Sequence, residues 1–482
     1  MAIVTRFDLQ KNRRTKIVAT VGPASSSADM CRKLVDAGVN VFRLNMSHGD
    51  HDGHAESYRT IRQVAEELHL PVAIMADLCG PKIRTGEFEH GSVVLEEGTQ
   101  VTITTRRVKG TSKLIPSQYD ALPRDVSPGD RVLLADGLLE LKVISVSDDE
   151  VMCDVIHGGE LGDHKGINLP GVTVSAPSLT DKDVDDARFA MALGVDFLAM
   201  SFVRQALDLE GLRELVDANN SNAQIIAKIE KPEALQNAEA ILDVTDAIMV
   251  ARGDLGVELP PEEVPVAQDA LIQLAREKGR PVIVATQMLE SMISHSRPTR
   301  AEVTDVSHAV LSGADAVMLS AETAVGHYPV EAVSIMSRVA KQTEAHLLSK
   351  GQYGSADYEA QPPLPLRKVI ANATSHMSRD LMVRAVMVIS RTGASATAVS
   401  AARPAAPVVA LTSNVVVYRR MALLWGMVPI LVDEAGQANP NALARRAAEE
   451  LGLATPGQYV LLVRGFSEDP VLNSPSVTVI TV

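Results

Sequence analysis

Residues 225–230 read Ile225-Ile226-Ala227-Lys228-Ile229-Glu230, and residues 247–254 read Ala247-Ile248-Met249-Val250-Ala251-Arg252-Gly253-Asp254. Each begins as a short apolar run rich in β-branched side chains and ends in charge. That is the pattern of strands buried on both faces in a parallel sheet. The same texture recurs at 17–20, 41–44, 72–77, 197–201, 282–286 and 316–319, mostly with longer amphipathic stretches between. Eight strands alternating with helices predict a (β/α)₈ barrel.

One connection breaks the rhythm. Residues 78–177 carry short runs at 93–95, 101–104, 131–134 and 139–143 separated by Gly, Asp and Pro turns, which predicts an all-β insertion. It leaves the third strand at the end where barrel sites form, so it is placed to act as a lid. The barrel is then discontinuous, 1–77 with 178–350. A polar stretch with Gly351, Gly354 and three prolines reads as a linker, 351–366. Beyond it, runs at 385–390, 408–412, 428–432, 459–463 and 477–482, with a helix over 441–451, predict a C-terminal α/β open-sheet domain, 367–482.

The 482 residues hold 46 Lys and Arg against 60 Asp and Glu, a net charge of −14 that opposes a nucleic-acid partner. No apolar run approaches the ~20 residues of a membrane-spanning helix. Residues 1–10 include polar and charged side chains where a signal peptide would place an uninterrupted apolar stretch, so the expected location is cytoplasmic. Cys31, Cys79 and Cys153 are far apart and form no C-x-x-C pair, which argues against a disulfide framework or a thiolate zinc site.

Barrel chemistry sits at the carboxyl ends of strands. Those ends carry Arg43-Leu44-Asn45-Met46-Ser47-His48, Asp77, Ser201, Lys228 with Glu230, Arg252-Gly253-Asp254 and Thr286. Any one of them alone reads as a helix cap or a cross-barrel ion pair; six together point to a site. Glu230 and Asp254 converging in one mouth would repel each other unless a cation intervened, and hard oxygen ligands favour Mg²⁺ or Mn²⁺. Lys228 beside that ion is a fixed positive charge for negative charge that develops in a reaction. The amides of Gly253-Asp254-Leu255-Gly256 suit an approaching carboxylate or phosphate, although a lone Gly-x-x-Gly is also an ordinary turn. The loop G-x-x-x-x-G-K is absent, so any nucleotide binds by other means. His48, His51 and His54 recur every third residue, but a zinc site is disfavoured because helical metal pairs fall at i, i+4 and the stretch reads as a polar helix start after Ser47.

The chain closely resembles the pyruvate kinase family. The resemblance rests on Ile226-Ala227-Lys228-Ile229-Glu230, residues 15–24 (TKIVATVGPA), 43–49 (RLNMSHG), 80–86 (GPKIRTG), 251–256 (ARGDLG) and 285–292 (ATQMLESM), and it covers nearly the whole chain in order. It implies phosphoryl transfer from phosphoenolpyruvate to ADP, giving pyruvate and ATP. In that reading Lys228, Thr286 and Arg43 are catalytic; Arg43, Lys228, Gly253, Asp254, Thr286 and Ser201 bind the substrate; and Glu230 and Asp254 hold Mg²⁺ or Mn²⁺. Arg43 and Arg84 hold the transferring phosphoryl group. Asn45, Ser47, His48, Arg84 and Lys165 serve the nucleotide, Lys165 coming from the lid. The family also suggests a homotetramer. A metal-dependent aldolase-like lyase acting on pyruvate or oxaloacetate shares a barrel and a carboxylate-bound ion, but it needs neither nucleotide nor lid. A sugar-phosphate sensor without activity would require a broken site, and none of these residues is missing.

Two departures from the family matter. Many members carry Glu where this chain has Lys82, and they use K⁺ bound by groups matching Asn45, Ser47, Asp77 and the carbonyl of Leu78. The ammonium of Lys82, a feature taken as that of a bacterial type, would supply that charge, so K⁺ is not expected to be required. In the C-terminal domain, Ser390, Arg391, Thr392, Gly393 and Ser395 resemble the family's effector loop, opening a helix after a strand. Ala394 replaces a basic residue of forms that respond to fructose 1,6-bisphosphate. The loop 464–469 lacks their Trp-Arg pair and offers Glu468 and Asp469. A sugar monophosphate is therefore the expected effector.

Overall fold

A computed structural model describes residues 13–353, 363–433, 439–467, 469 and 471–482. The amino-terminal stretch read above for a signal peptide, most of the predicted linker and Glu468 lie outside the described residues. Among the described residues, Lys16–Thr20, Val41–Asn45, Ala73–Asp77, Phe197–Val203, Gln224–Ile229, Ala247–Ala251, Val282–Ala285 and Ala316–Leu319 close a barrel. All neighbours pair in parallel, and the first strand meets the eighth through Lys16 with Ala316 to Ala19 with Leu319.

Side chains alternate between the two faces of each strand. Val18, Val41, Met75, Ala199, Ile226, Met249 and Ile283 fill the barrel interior, whereas Ile17, Ala19, Leu44, Ile74, Leu198 and Ile225 pack outward against the helices. The same parity carries Arg43, Asp77, Ser201, Lys228 and Glu230 to the inward face at the carboxyl end, two or four residues beyond an interior apolar side chain. The predicted strand ends therefore project into one mouth.

The insertion forms a six-stranded sheet, in the order Ile167–Asn168, Arg131–Leu134, Leu139–Val146, Glu150–His157, Gln100–Thr104 and Leu114–Pro116, and a two-stranded pair, Ser92–Leu95 with Gly159–Gly162. Ile103, Ile115, Leu134, Leu141, Val151 and Cys153 form its core. The prediction that it is all β needs one correction, a four-residue helix at Leu122–Asp125. The C-terminal sheet runs Met427–Leu431, Val408–Thr412, Val386–Ile389, Tyr459–Arg464 and Ser476–Thr481, the last strand antiparallel.

The C-terminal domain closes the bottom of the barrel. Ala422 and Leu423, in the turn Met421–Leu423, are buried among the interior side chains. Beside them the buried Lys16 donates from Nζ to the Met427 carbonyl at 2.7 Å. Burial and then the neighbouring Arg13 pull its ammonium down to about 7, against the opposing charge of Glu344. Between that value and the ordinary 10.5 the unfolded chain binds more protons than the folded one, so this group's contribution to stability rises with pH across the window. Lys16→Met is therefore expected to flatten the rise in Tm between pH 7 and 10 relative to the parent chain. Parallel slopes for the two proteins would contradict it.

Candidate active site

The mouth is organised around one ammonium. Lys228 Nζ lies 2.8 Å from Glu230 Oε1 and 3.2 Å from Asp77 Oδ1, and it donates to Ser201 Oγ at 2.6 Å. Ser201 in turn donates to the Leu78 carbonyl at 2.7 Å. The second oxygen of Asp77 accepts from Arg43 Nε at 2.6 Å, and Arg43 Nη1 reaches Thr20 Oγ1 at 3.2 Å. Burial alone would neutralise Lys228, but the carboxylates of Asp77 and Glu230 outweigh it and hold its pKa above the ordinary lysine value. Asp77 shows the converse: burial would raise it, and Lys228 with Arg43 pulls it below the usual carboxylate range. The result is a permanently charged cation at the bottom of the cleft.

Glu230 is pushed upward by burial and by the like charge of Asp254, against the pull of Lys228. Its other oxygen accepts from the Phe202 amide at 2.8 Å. Phe202 has a φ of 56°, uncommon for a bulky residue, and that twist turns its N–H toward Glu230. The turn leaves room only for glycine at position 80: with φ at 68°, an added Cβ would stand 2.7 Å from Phe202 Cδ2 and 3.0 Å from Ser201 Cβ.

Arg252–Glu258 is a helix that begins directly after the sixth strand, so the Gly-x-x-Gly stretch is a helix start. The Gly253 amide donates to Thr286 Oγ1 at 2.7 Å. Thr286 has a φ of 68°, an outlier for a β-branched side chain, and such strain concentrates at functional sites. Arg252 braces it, giving Nη2 to the Thr286 carbonyl at 2.8 Å and Nη1 to Asp305 Oδ1 at 2.6 Å. Asp254 Oδ1 lies 3.6 Å from Lys82 Nζ.

On the lid side, Arg84 forms an antiparallel bridge with Gly166 and donates to the His164 carbonyl at 3.1 Å, while the Lys165 amide donates to Thr85 Oγ1 at 2.9 Å. Arg84 and Lys165 thus stand on adjacent segments. Asn45 Oδ1 accepts from the Ser47 amide at 3.3 Å. His48 is pulled below the ordinary histidine value by burial and then by Arg84, Arg43 and Lys82. The other histidines turn away: His51 pairs with Asp186 at 2.8 Å and stacks on Phe189, and His54 contacts the His48 carbonyl. Among the described residues no group of three or more His, Cys, Asp and Glu is placed to hold a metal ion. The helix His51–Glu67 is capped by Asp50, not started at Ser47, because Asp50 Oδ1 takes the Gly53 amide.

Two descriptions match most of the chain: pyruvate kinase, barrel domain, over residues 12–333, and pyruvate kinase, alpha/beta domain, over residues 368–474. The chain belongs to the pyruvate kinase family. Similar relatives include pyruvate kinase 2 of Synechocystis sp., 45% identical over 94% of this chain and 76% of that protein. The pyruvate kinases of Corynebacterium glutamicum, 46% identical over 87% of each chain, and of Agrobacterium vitis, 43% identical over 95% of this chain and 94% of that one, are also similar. A crystal structure of a Cryptosporidium parvum pyruvate kinase superposes with a TM-score of 0.90 at 36% identity, covering 98% of this chain and 97% of that one. The class that the resemblance implies, a kinase of glycolysis on a barrel, stands. No helix among the described residues is long and apolar enough to cross a membrane.

In the C-terminal domain, the predicted effector segment links Val386–Ile389 to the helix Ala394–Ala401, with Gly393 at a φ of 100° as its cap. Ser390 Oγ, buried, faces the Ala396 amide at 3.4 Å, and Thr392 Oγ1 faces the Ala394 amide at 3.5 Å. Arg391 and Thr392 are exposed, and Ser395 is buried. Sequence reasoning passed over the Phe202 amide, the Arg252 brace and a buried pair between Lys231 and Glu258. The pair had a signal: Lys231 follows Glu230 directly, and Glu258 stands four residues after Asp254.

Proposed function

We propose that this chain transfers the phosphoryl group of phosphoenolpyruvate to ADP, giving pyruvate and ATP, with Arg43, Lys228 and Thr286 as its catalytic residues. The observation that carries this is the Lys228 ammonium, buried yet kept charged between Asp77 and Glu230. Phosphoryl transfer asks a protein for positioning and charge neutralisation rather than covalent chemistry. Lys228 and Arg43 meet the charge on the phosphoryl group and the enolate, and the helix start at Gly253 and Asp254 with Thr286 and Ser201 orients the carboxylate end. Asn45, Ser47, His48, Arg84 and Lys165 line the ADP side.

Glu230 and Asp254 fit Mg²⁺ or Mn²⁺: they are hard oxygen donors, and burial first and then the like charge of Asp254 raise the pKa of Glu230. When bound, the ion supplies Lewis-acid stabilisation of the transferring group. The second cation site differs. The two oxygens of Asp77 face Arg43 and Lys228, the Leu78 carbonyl accepts from Ser201, and the Asn45 amide oxygen accepts from Ser47. Lys82 already brings a positive charge to Asp254. Full activity without K⁺ is expected for this bacterial-type, Lys82-bearing enzyme. A large activation by K⁺ over a bulky organic cation at equal ionic strength would overturn that.

The division into a barrel (1–77 with 178–350), a lid (78–177), a linker (351–366) and a regulatory domain (367–482), a homotetrameric assembly and a cytoplasmic location complete the reading. Ser390, Arg391, Thr392, Gly393 and Ser395 are proposed to cradle one phosphate, so that glucose 6-phosphate or a pentose phosphate activates in preference to fructose 1,6-bisphosphate. Thr392→Glu should abolish the response by placing a carboxylate there. Titrating both sugars against the phosphoenolpyruvate saturation curve tests it, and tighter activation by the bisphosphate would sink it. The reaction itself is tested by the joint appearance of pyruvate and ATP; pyruvate released from oxaloacetate without nucleotide would instead mark a lyase.

A further inference from the structure

Lys231 Nζ donates to Glu258 Oε1 at 2.6 Å, and the two side chains are 12% and 1% exposed. A buried ion pair of this kind is costly to desolvate and is weak evidence for stability, so its position matters more than its strength. Each partner is tied to one of the two carboxylates proposed to hold the divalent ion. Lys231 immediately follows Glu230, and its ammonium lies 6.0 Å from the ring centroid of Phe202, whose amide holds Glu230 Oε2. Glu258 ends the helix Arg252–Glu258, one turn from Asp254 on the same face. The lid docks along this helix. Asn168 Nδ2 reaches the same Glu258 Oε1 at 3.4 Å, Lys82 faces Asp254 at the other end, and a Cβ on Gly137 would stand 3.8 Å from Val257 Cγ1.

We propose that Glu258 is a positioning residue: its buried pair with Lys231 fixes the helix that carries Asp254 relative to the strand end that carries Glu230, and so sets the spacing of the two carboxylates for the divalent ion. The inference rests on the function proposed above and deepens it. Glu258 Oε1 accepts from Lys231 and from Asn168 of the lid, so its role runs through these neighbours. Groups behind metal ligands commonly change metal affinity about 10–100-fold when removed, because they hold the ligands in place.

The test is calorimetric titration of the full chain with Mn²⁺, without substrates, alongside Tm and steady-state kinetics. Glu258→Gln keeps an acceptor for Lys231 and removes the charge; it should weaken Mn²⁺ binding about tenfold and raise the apparent KM for the divalent ion. If that variant does not fold, Lys231→Met combined with Glu258→Leu removes both charges together and should show the same loss. A lowered Tm with unchanged Mn²⁺ affinity, in either variant, overturns the proposal and leaves the pair purely structural. Failure of the function would read differently: the parent chain would not form pyruvate from phosphoenolpyruvate and ADP, whereas the Mn²⁺ comparison would still report on the pair.

Discussion

Lys228→Met is expected to lower kcat by roughly 10²–10³ or more while the protein stays folded. Methionine matches the length of the lysine stem and carries no charge, so it isolates the electrostatic contribution. The fold should tolerate it. Asp77 keeps its 2.6 Å contact with Arg43, and Glu230 keeps the Phe202 amide. Because the ammonium is buried and held charged by Asp77 and Glu230, no water-exposed cation replaces it. The KM for phosphoenolpyruvate should change far less than kcat, since charge that develops only in the transition state is what Lys228 opposes. Single-turnover and steady-state rates check this, and a fall of less than tenfold would remove Lys228 from its central role.

Glu230→Gln is expected to cut kcat/KM by about two to three decades, since a bound metal supplies several kcal/mol of transition-state stabilisation and each ~1.4 kcal/mol is a factor of ten. Glutamine keeps the size of the side chain and an acceptor for the Phe202 amide, so the loss is that of one carboxylate donor. The signature that separates this variant from Lys228→Met is the divalent-ion dependence. Glu230→Gln should need far more Mg²⁺ for half-maximal rate, whereas Lys228→Met should saturate near the parent concentration. An unchanged Mg²⁺ dependence in Glu230→Gln would take Glu230 out of the metal site.

Much of the barrel was legible because its signal is local and periodic. Ile226, Lys228 and Glu230 are two apart, so once Ile226 is placed in the barrel interior the other two follow it inward, and the same holds for Met75 with Asp77 and Ala199 with Ser201. The missed features depend on distant contacts or on backbone angles. Nothing in the composition around Thr286 or Phe202 announces a φ near 60°, because the strain is imposed by neighbours such as Arg252. Lys231 and Glu258 are 27 residues apart and meet only through the geometry of adjacent strands. Ala422 and Leu423, in the turn Met421–Leu423, are buried among the barrel's interior side chains, a contact between domains that no local pattern shows. In the lid, Leu114–Pro116 ends in a proline, tolerable because this strand lies at the edge of its sheet. Ser and Asp both cap helices well, so composition allows a helix start after Ser47, and only the hydrogen bond to Gly53 chooses Asp50.

The measurement that bears most directly on the central claim is the stoichiometry of products from phosphoenolpyruvate and ADP with Mg²⁺. The account predicts pyruvate and ATP appearing together in equal amounts, dependent on ADP and on the divalent ion, and lost with Lys228→Met. Pyruvate formed without ADP, or formed from oxaloacetate at a comparable rate with no ATP, would contradict it.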